Sequence, residues 1–282
     1  MSYDPHASKL ARTFSLDKLL KQRGLSFKTQ QTLDNTLFPK IKQKVSTLNE
    51  KEFLDLIANQ ETRKQIRADI YSGSNQFIYK GQKFNFSKND ESAFTDSFEW
   101  YVSKILEDDF DFFTSGYGIK LEGTHKGADF DVLGFGLDLF VHVECKSGHP
   151  DNITQEKLGE FKARCDAIGA DINIFYIDYN GINFDEHKIL RHFTKAFYEN
   201  GNLYKITKGD SAFEIYQVDI APIFIIDTHQ SRKDPINNFK EIFYLYFKVR
   251  AHEKINSGYS PEIFQGDGYK VEKCQKSEEH SA

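Results

Sequence analysis

Asp129-Phe130-Asp131-Val132-Leu133 and Val141-His142-Val143-Glu144-Cys145-Lys146-Ser147-Gly148, with Gly136-Leu137-Asp138 between them, decide how this chain is read. The two runs are short, apolar and rich in β-branched residues. The Gly-Leu-Asp step predicts a turn, so a hairpin is expected with arms over 129–135 and 139–146. Side chains alternate across a strand. Glu144 and Lys146 therefore share one face with His142, while Val141, Val143 and Cys145 point the other way. Asp129 and Asp131 likewise share a face, opposite Phe130 and Val132. Pairing of the arms would bring Asp131 close to Glu144. Two carboxylates and an ammonium at strand ends are costly to desolvate unless something holds them. A hard divalent cation, usually Mg²⁺, is the natural partner of carboxylate oxygens. The lysine would then orient or activate water, or stabilise charge on a phosphate.

Working outward, residues 93–106 carry Phe94, Phe98, Tyr101, Val102, Ile105 and Leu106 on one stripe, which predicts an amphipathic helix with Glu99 at its middle. Gly116 and Gly118 begin a short strand running to Leu121. Residues 153–168 predict a helix closed by Gly169, and Ile172 onward a buried strand to about 178. The order is α-β-β-β-α-β, an α/β or α+β arrangement with a mixed sheet flanked by helices. Further on, a helix is expected over 186–199, strands near 212–219 and 222–227, and an aromatic-rich helix over 235–254. Residues 256–282 read as a loose polar tail. Upstream, Leu16, Leu19, Leu20 and Phe53, Leu54, Ile57 give helical spacing within 8–70, broken at Pro39, and Ser72-Gly73-Ser74-Asn75 punctuates the chain before a small hairpin near 76–86. The expected organisation is a helical region 1–72, a linker or hairpin 73–92, one α/β domain 93–255 and the tail.

Asp131, then Glu144-x-Lys146 on a β-hairpin, after a helix with Glu99 and before a helix and strand, resembles the PD-(D/E)xK nuclease superfamily over about 93–178. The Asp131-Val132-Leu133 and Glu144-Cys145-Lys146-Ser147 runs are closest to its restriction-endonuclease-like members. The resemblance implies an αβββαβ core, here with an N-terminal helical region and a C-terminal α/β extension. It implies a metal held by Asp131, Glu144 and the main-chain carbonyl of Cys145, with Lys146 handling the attacking water. It implies Glu99 as a further metal or water contact and leaves Asp129 as an accessory carboxylate. Phe130 stands where many members have proline, a minor departure. A second Glu-x-Lys, Glu186-His187-Lys188, lies in a predicted helix without a preceding apolar strand and reads as a surface face. Gln155, Glu156 and Lys157 open the helix after the motif, where members often aim a Gln or Lys at the site; an exposed helix turn is the plainer reading. His125, His149, His187 and His192 lack metal-ligand spacing, and Gly134-Phe135-Gly136 reads as a turn.

Composition narrows the remainder. With 26 Phe, 14 Tyr and 1 Trp in 282 residues there is material for a large core. No run of apolar residues is long enough to span a membrane, and the first thirty residues have no apolar leader core, so a cytoplasmic location without membrane partners is expected. Cys145, Cys165 and Cys274 have no CxxC spacing and read as reduced thiols. The net charge of −5 does not announce a nucleic-acid binder, but it is unevenly spread. Residues 1–70 hold 13 basic against 8 acidic side chains, and 91–150 hold 4 against 12. The second segment would repel a polyanion unless cations intervened, and the first could grip phosphates. The expected function is a Mg²⁺-dependent nuclease, with Mn²⁺ as substitute, acting on DNA, with RNA as the alternative substrate and a homodimer as the arrangement suited to cutting both strands. The alternative is a non-catalytic nucleic-acid or protein interaction module on the same fold.

Overall fold

The computed structural model describes residues 16–27, 50–59, 61–62, 65, 76–79, 82–85, 91–112, 114–122, 129–178, 188–197, 202–208, 214–218, 222–227, 235–255 and 267–274. Pro39, the Ser72–Asn75 step, His125, Glu186, His187 and the side chain of Phe94 lie outside them. The fold is mixed α/β, and contacts gather into two units, Met1–Asp138 and Leu139–Ala282. The sequence suggests a boundary earlier, at 73–92.

In the first unit, a helical segment over residues 16–22 buries Leu16 and Leu20. It is tied to the chain near Leu121 by a bridge from Phe27 and by Glu122 N–H donating to Ser26 O at 2.8 Å. Helix α1 (Glu50–Ala58) buries Leu56 and Ile57, and strands β1 (Gln76–Tyr79) and β2 (Gln82–Asn85) pair as the expected hairpin. Helix α2 (Glu91–Asp108) buries Phe98, Tyr101, Val102, Ile105 and Leu106 as its stripe predicts, and also Trp100, off that stripe. The extra burial has a reason: α2 is covered by α1 as well as by strands β3 (Thr114–Lys120) and β4 (Asp129–Gly136). Ser103 and Ser115 hydroxyls bond at 2.6 Å, and Glu107 takes both Ser115 (3.0 Å) and Lys104 (2.9 Å), which satisfies the polar groups buried where α2 meets β3.

Gly134 and Gly136 are strand residues of β4, not a turn. Their absent side chains make room for the end of α2 and for Phe112 just beyond it. A Cβ at Gly136 would lie 2.5 Å from Phe112 Cα, and one at Gly134 2.9 Å from Leu106 Cδ1. Glycines two apart on one strand face signal such a close approach as readily as a turn. The turn itself is Leu137-Asp138, with φ of 53° and 58°. Positive φ at both positions is the two-residue turn geometry usually filled by Asn-Gly.

The second unit begins with β5 (Leu139–Lys146), which pairs in parallel with β6 (Ile172–Ile177) after crossing through helix α3 (Gln155–Ile168). Parallel pairing requires such a crossover. Thr154 caps α3 by accepting from Lys157 N–H (3.4 Å), and Gly169 closes it at φ 57°. Leu158, Phe161, Cys165 and Ile168 are buried, a spacing of three and four that fixes which side of α3 meets the strands. Strand β9 (Ile223–Asp227) adds in parallel to β6, and β8 (Glu214–Val218), β7 (Leu203–Lys208) and β10 (Tyr269–Lys273) succeed it outward, each antiparallel to the last.

Helix α3 and helix α4 (Lys188–Phe197) cover one face of these strands, with Phe161 and Phe193 edge-on to Phe175 at 5.1 and 5.0 Å. Helix α5 (Pro235–Ile255) covers the other, where Phe239 meets Tyr176 at 5.8 Å. Each fully buried phenylalanine adds roughly 2–3 kcal/mol. Strand β10 stands inside the stretch read as a loose tail. Its Lys and Glu residues are those of an exposed edge strand, and Tyr269 anchors it by stacking on Tyr244 and donating to Glu241. Among the described residues no helix is long and apolar enough to cross a membrane.

Replacing Gly136 by alanine is expected to destabilise the protein by about 2–3 kcal/mol, because the added carbon meets main chain. Gly134→Ala, meeting the end of a leucine side chain, should cost less. Urea unfolding of the two variants checks the order.

Candidate active site

Glu144 lies in β5 with its side chain almost wholly buried, and the register sets its surroundings. His142 stands beside Asn173 of β6, Glu144 beside Phe175, and Lys146 beside Ile177. Strand β6 therefore offers Glu144 an apolar neighbour and no side-chain donor. The donors come from elsewhere: Lys146 Nζ at 2.5 Å and Arg164 Nη2 of α3 at 2.5 Å, both on Oε1. Oε2 is buried and accepts no hydrogen bond among the described residues; His142 Nε2 is 3.9 Å away. Burial alone would raise the Glu144 carboxyl, but the Lys146 and Arg164 cations outweigh it and hold it below its ordinary 4.5.

His142 is fully buried, with Nδ1 3.1 Å from Asn173 Oδ1 and its ring 5.5 Å from that of Phe161. Desolvation lowers it from 6.5 to about 4, against the pull of Glu144, so the imidazole is neutral at pH 7. The Cys165 thiol, 4.0 Å from His142 Nδ1, is pushed well up by burial and then by Glu144, and stays protonated.

The other expected residues belong to the first unit. Asp131 is buried in β4 at 8% exposure. The pairs Tyr117–Val132 and Ile119–Phe130 flank the position where Gly118 of β3 stands opposite Asp131. Gly118 has φ 56°, and a Cβ there would lie 3.9 Å from Glu99 Oε2. Glu99 and Asp131 thus adjoin the same glycine, which leaves open the space a side chain would take. Asp129 is exposed at the start of β4, opposite Lys120. The Cys145 side chain is buried on the face away from Glu144. Phe140 O and Lys146 O accept from Asp171 N–H and Asp178 N–H at 2.8 Å, so the even-numbered carbonyls of β5 face β6. Successive carbonyls alternate along a strand, which directs that of Cys145 away from β6.

The structure therefore brings Glu144 and Lys146 into contact and places Glu99 and Asp131 about Gly118. Gln155, Glu156 and Lys157 form the exposed helix turn of the plainer reading, Lys157 Nζ donating to Asn152 O at 2.8 Å. Arg164 and Asn173 are the residues sequence reasoning missed. The available signal was positional: Arg164 lies three residues after Phe161 on the buried stripe of α3, where a solvated cation is out of place.

A carboxylate oxygen buried without a donor fits a cation, since leaving such an acceptor unmet costs about 1–3 kcal/mol or more. Among the described residues no three His, Cys, Asp or Glu side chains form a group that could hold a metal. Any ion would need the main-chain carbonyl or water to complete its shell.

No family model and no curated protein matches the chain. Among solved structures, protein VC1899 from Vibrio cholerae aligns over 68% of this chain and 51% of its own, at 11% identity and a TM-score of 0.28. The chain spans about half the length of that structure, and a likeness at this level carries no argument.

The depressed His142 gives a pH dependence whose sign is fixed. Between pH 6.5 and about 4 the unfolded chain carries a proton here that the folded one lacks, so stability falls as pH falls. Glu144, held low, stays ionised above its ordinary 4.5, and its contribution is lost only below that. In EDTA, the native protein should lose about 2 kcal/mol more between pH 7 and pH 5 than His142→Gln, given about 1.4 kcal/mol per pH unit per proton. Urea titrations at both pH values measure this; equal slopes would refute the buried neutral imidazole.

Proposed function

We propose that the chain is a metal-dependent nuclease of the PD-(D/E)xK type, hydrolysing phosphodiester bonds in DNA with Mg²⁺ or, as a substitute, Mn²⁺. The observation that carries this reading is the Glu144 carboxylate: buried, ionised, gripped by Lys146 on one oxygen and without a hydrogen-bond donor on the other. The element order from α2 to β6, helix, three strands, helix, strand, supports a restriction-endonuclease-like core.

Asp131, Glu144 and the Cys145 carbonyl would hold the metal, with Glu99 adjoining through the space at Gly118 and Asp129 as an accessory. When bound, the ion supplies Lewis acidity that offsets charge on the scissile phosphate. Lys146 is 28% exposed against 3% for Glu144, so its ammonium is anchored at the carboxylate and still meets solvent. From there it donates a hydrogen bond to the attacking water or to a phosphate oxygen, holding that oxygen in line and stabilising negative charge as it develops. Glu144 keeps the lysine protonated and aimed. A cytoplasmic location and a homodimer with one site per strand complete the proposal.

Arg164 favours a second reading. With Lys146 it meets the charge of Glu144 from within the chain, as a non-catalytic interaction module would require.

Plasmid and linear DNA, with RNA in parallel, incubated with Mg²⁺, Mn²⁺ or EDTA should be cut only with metal. Lys146→Ala and Asp131→Ala should each lower the rate by about 100-fold or more. Cutting in EDTA, or undiminished cutting by both variants, would sink the reading. Failure to cut together with a Mn²⁺ thermal shift absent from Asp131→Ala would point to a demanding substrate, and no shift at all to the module.

A further inference from the structure

Arg164 is committed to Glu144 in a way that ordinary packing does not explain. Its side chain is 11% exposed, and Nη2 sits 2.5 Å from Oε1, the oxygen Lys146 already holds. Its Nε is buried and finds no acceptor among the described residues. A guanidinium placed for structure alone is expected to form the two-pronged pair that satisfies its fork. Here one prong reaches the carboxylate end-on, and a buried N–H is left unmet. Two cations on one oxygen also exceed the charge of the acid they neutralise.

Resting on the metal-dependent reading above, we infer that Arg164 is a positioning residue that sets the metal affinity of the site through Glu144. Its fixed positive charge stands in for the ion while the site is empty and opposes the ion when it arrives. Both effects stem from one distance. In the metal-free protein a buried carboxylate is stabilised by a partner that never leaves the chain. Toward a divalent cation, that same partner is a like charge next to a ligand oxygen, in a site where screening is weak. Loss of its positioning weakens binding less than loss of its repulsion strengthens it. The device makes the ion weakly held and exchangeable. Glu144 meanwhile stays ionised and oriented between loading events.

The test is titration of the whole protein with Mn²⁺ alone, monitored by electron paramagnetic resonance of the free ion. Native protein, Arg164→Gln, Arg164→Lys and Asp131→Ala are compared. Arg164→Gln should bind Mn²⁺ about ten-fold more tightly, within the usual range of site-to-site coupling. Arg164→Lys, which keeps the charge, should stay within about three-fold of native, and Asp131→Ala should lose binding. Native binding that is lost in Asp131→Ala, with Arg164→Gln equal or weaker, overturns the role of Arg164 and leaves the metal reading standing. No binding by native protein or Arg164→Gln overturns both.

A metal-free readout covers the case in which Arg164→Gln folds poorly. In EDTA the unfolding constants of Glu144→Gln, Arg164→Gln and the double variant are compared by urea. The double variant should be at least about ten-fold more resistant than the two single effects combined predict, because neither charge is left alone. Independent effects, or a double variant that fails to fold where Glu144→Gln folds, would overturn the pairing.

Discussion

An ionised carboxylate kept out of water is the constraint around which the second unit is arranged. The effective cost of burying a charge is several kcal/mol even after relaxation, so Glu144 persists only if cations are delivered to it accurately. Lys146 comes from the same strand two residues on, by alternation alone. Arg164 must come from α3, and its delivery depends on how that helix is set. Thr154 fixes where the helix starts, Gly169 where it ends, and the buried stripe Leu158, Phe161, Cys165, Ile168 its rotation. Arg164, three residues past Phe161, is thereby aimed at β5. The apolar core does electrostatic service here: packing that holds Phe161 against Phe175 also holds a guanidinium against Glu144.

The first unit reaches a comparable end by subtraction. Gly118 takes a backbone conformation that side-chain-bearing residues rarely adopt and leaves a gap between β3 and α2. Glu99 adjoins that gap, and Asp131 is opposite it in register. Gly134 and Gly136 perform a different task on the neighbouring strand, letting Leu106 and Phe112 close in. Glycines of two paired strands thus serve two purposes, and only the contacts tell them apart.

Much of this was legible in the sequence where local rules dominate. Strand alternation put Glu144, Lys146 and His142 on one face, and helical spacing with a glycine stop located α3. The α2 stripe was visible, although Trp100 was not, because its burial depends on a second covering element. Residues whose environment is created by tertiary packing were hidden. Arg164 reads as one more basic residue of a polar helix until α3 is docked, and Asn173 as a blemish in an apolar strand until parallel register places it beside His142. Strand β7 carries no clear alternation, and β10 resembles a tail because edge strands are charged on purpose. The reading of Gly134-Phe135-Gly136 as a turn failed because glycine is common to turns and to close approaches.

The second unit's whole polar cluster, His142, Glu144, Lys146, Arg164 and Asn173, is contained in one strand–helix–strand passage, β5 to β6. The separations involved, 31 residues between His142 and Asn173 and 20 between Glu144 and Arg164, are short for loop closure. The cluster is therefore modular in heredity as well as in space. A recombination that transplanted this passage would carry every one of these polar partners with it. Drift in β7, β8 and β10 could meanwhile remodel the far side of the sheet without disturbing a single contact of Glu144.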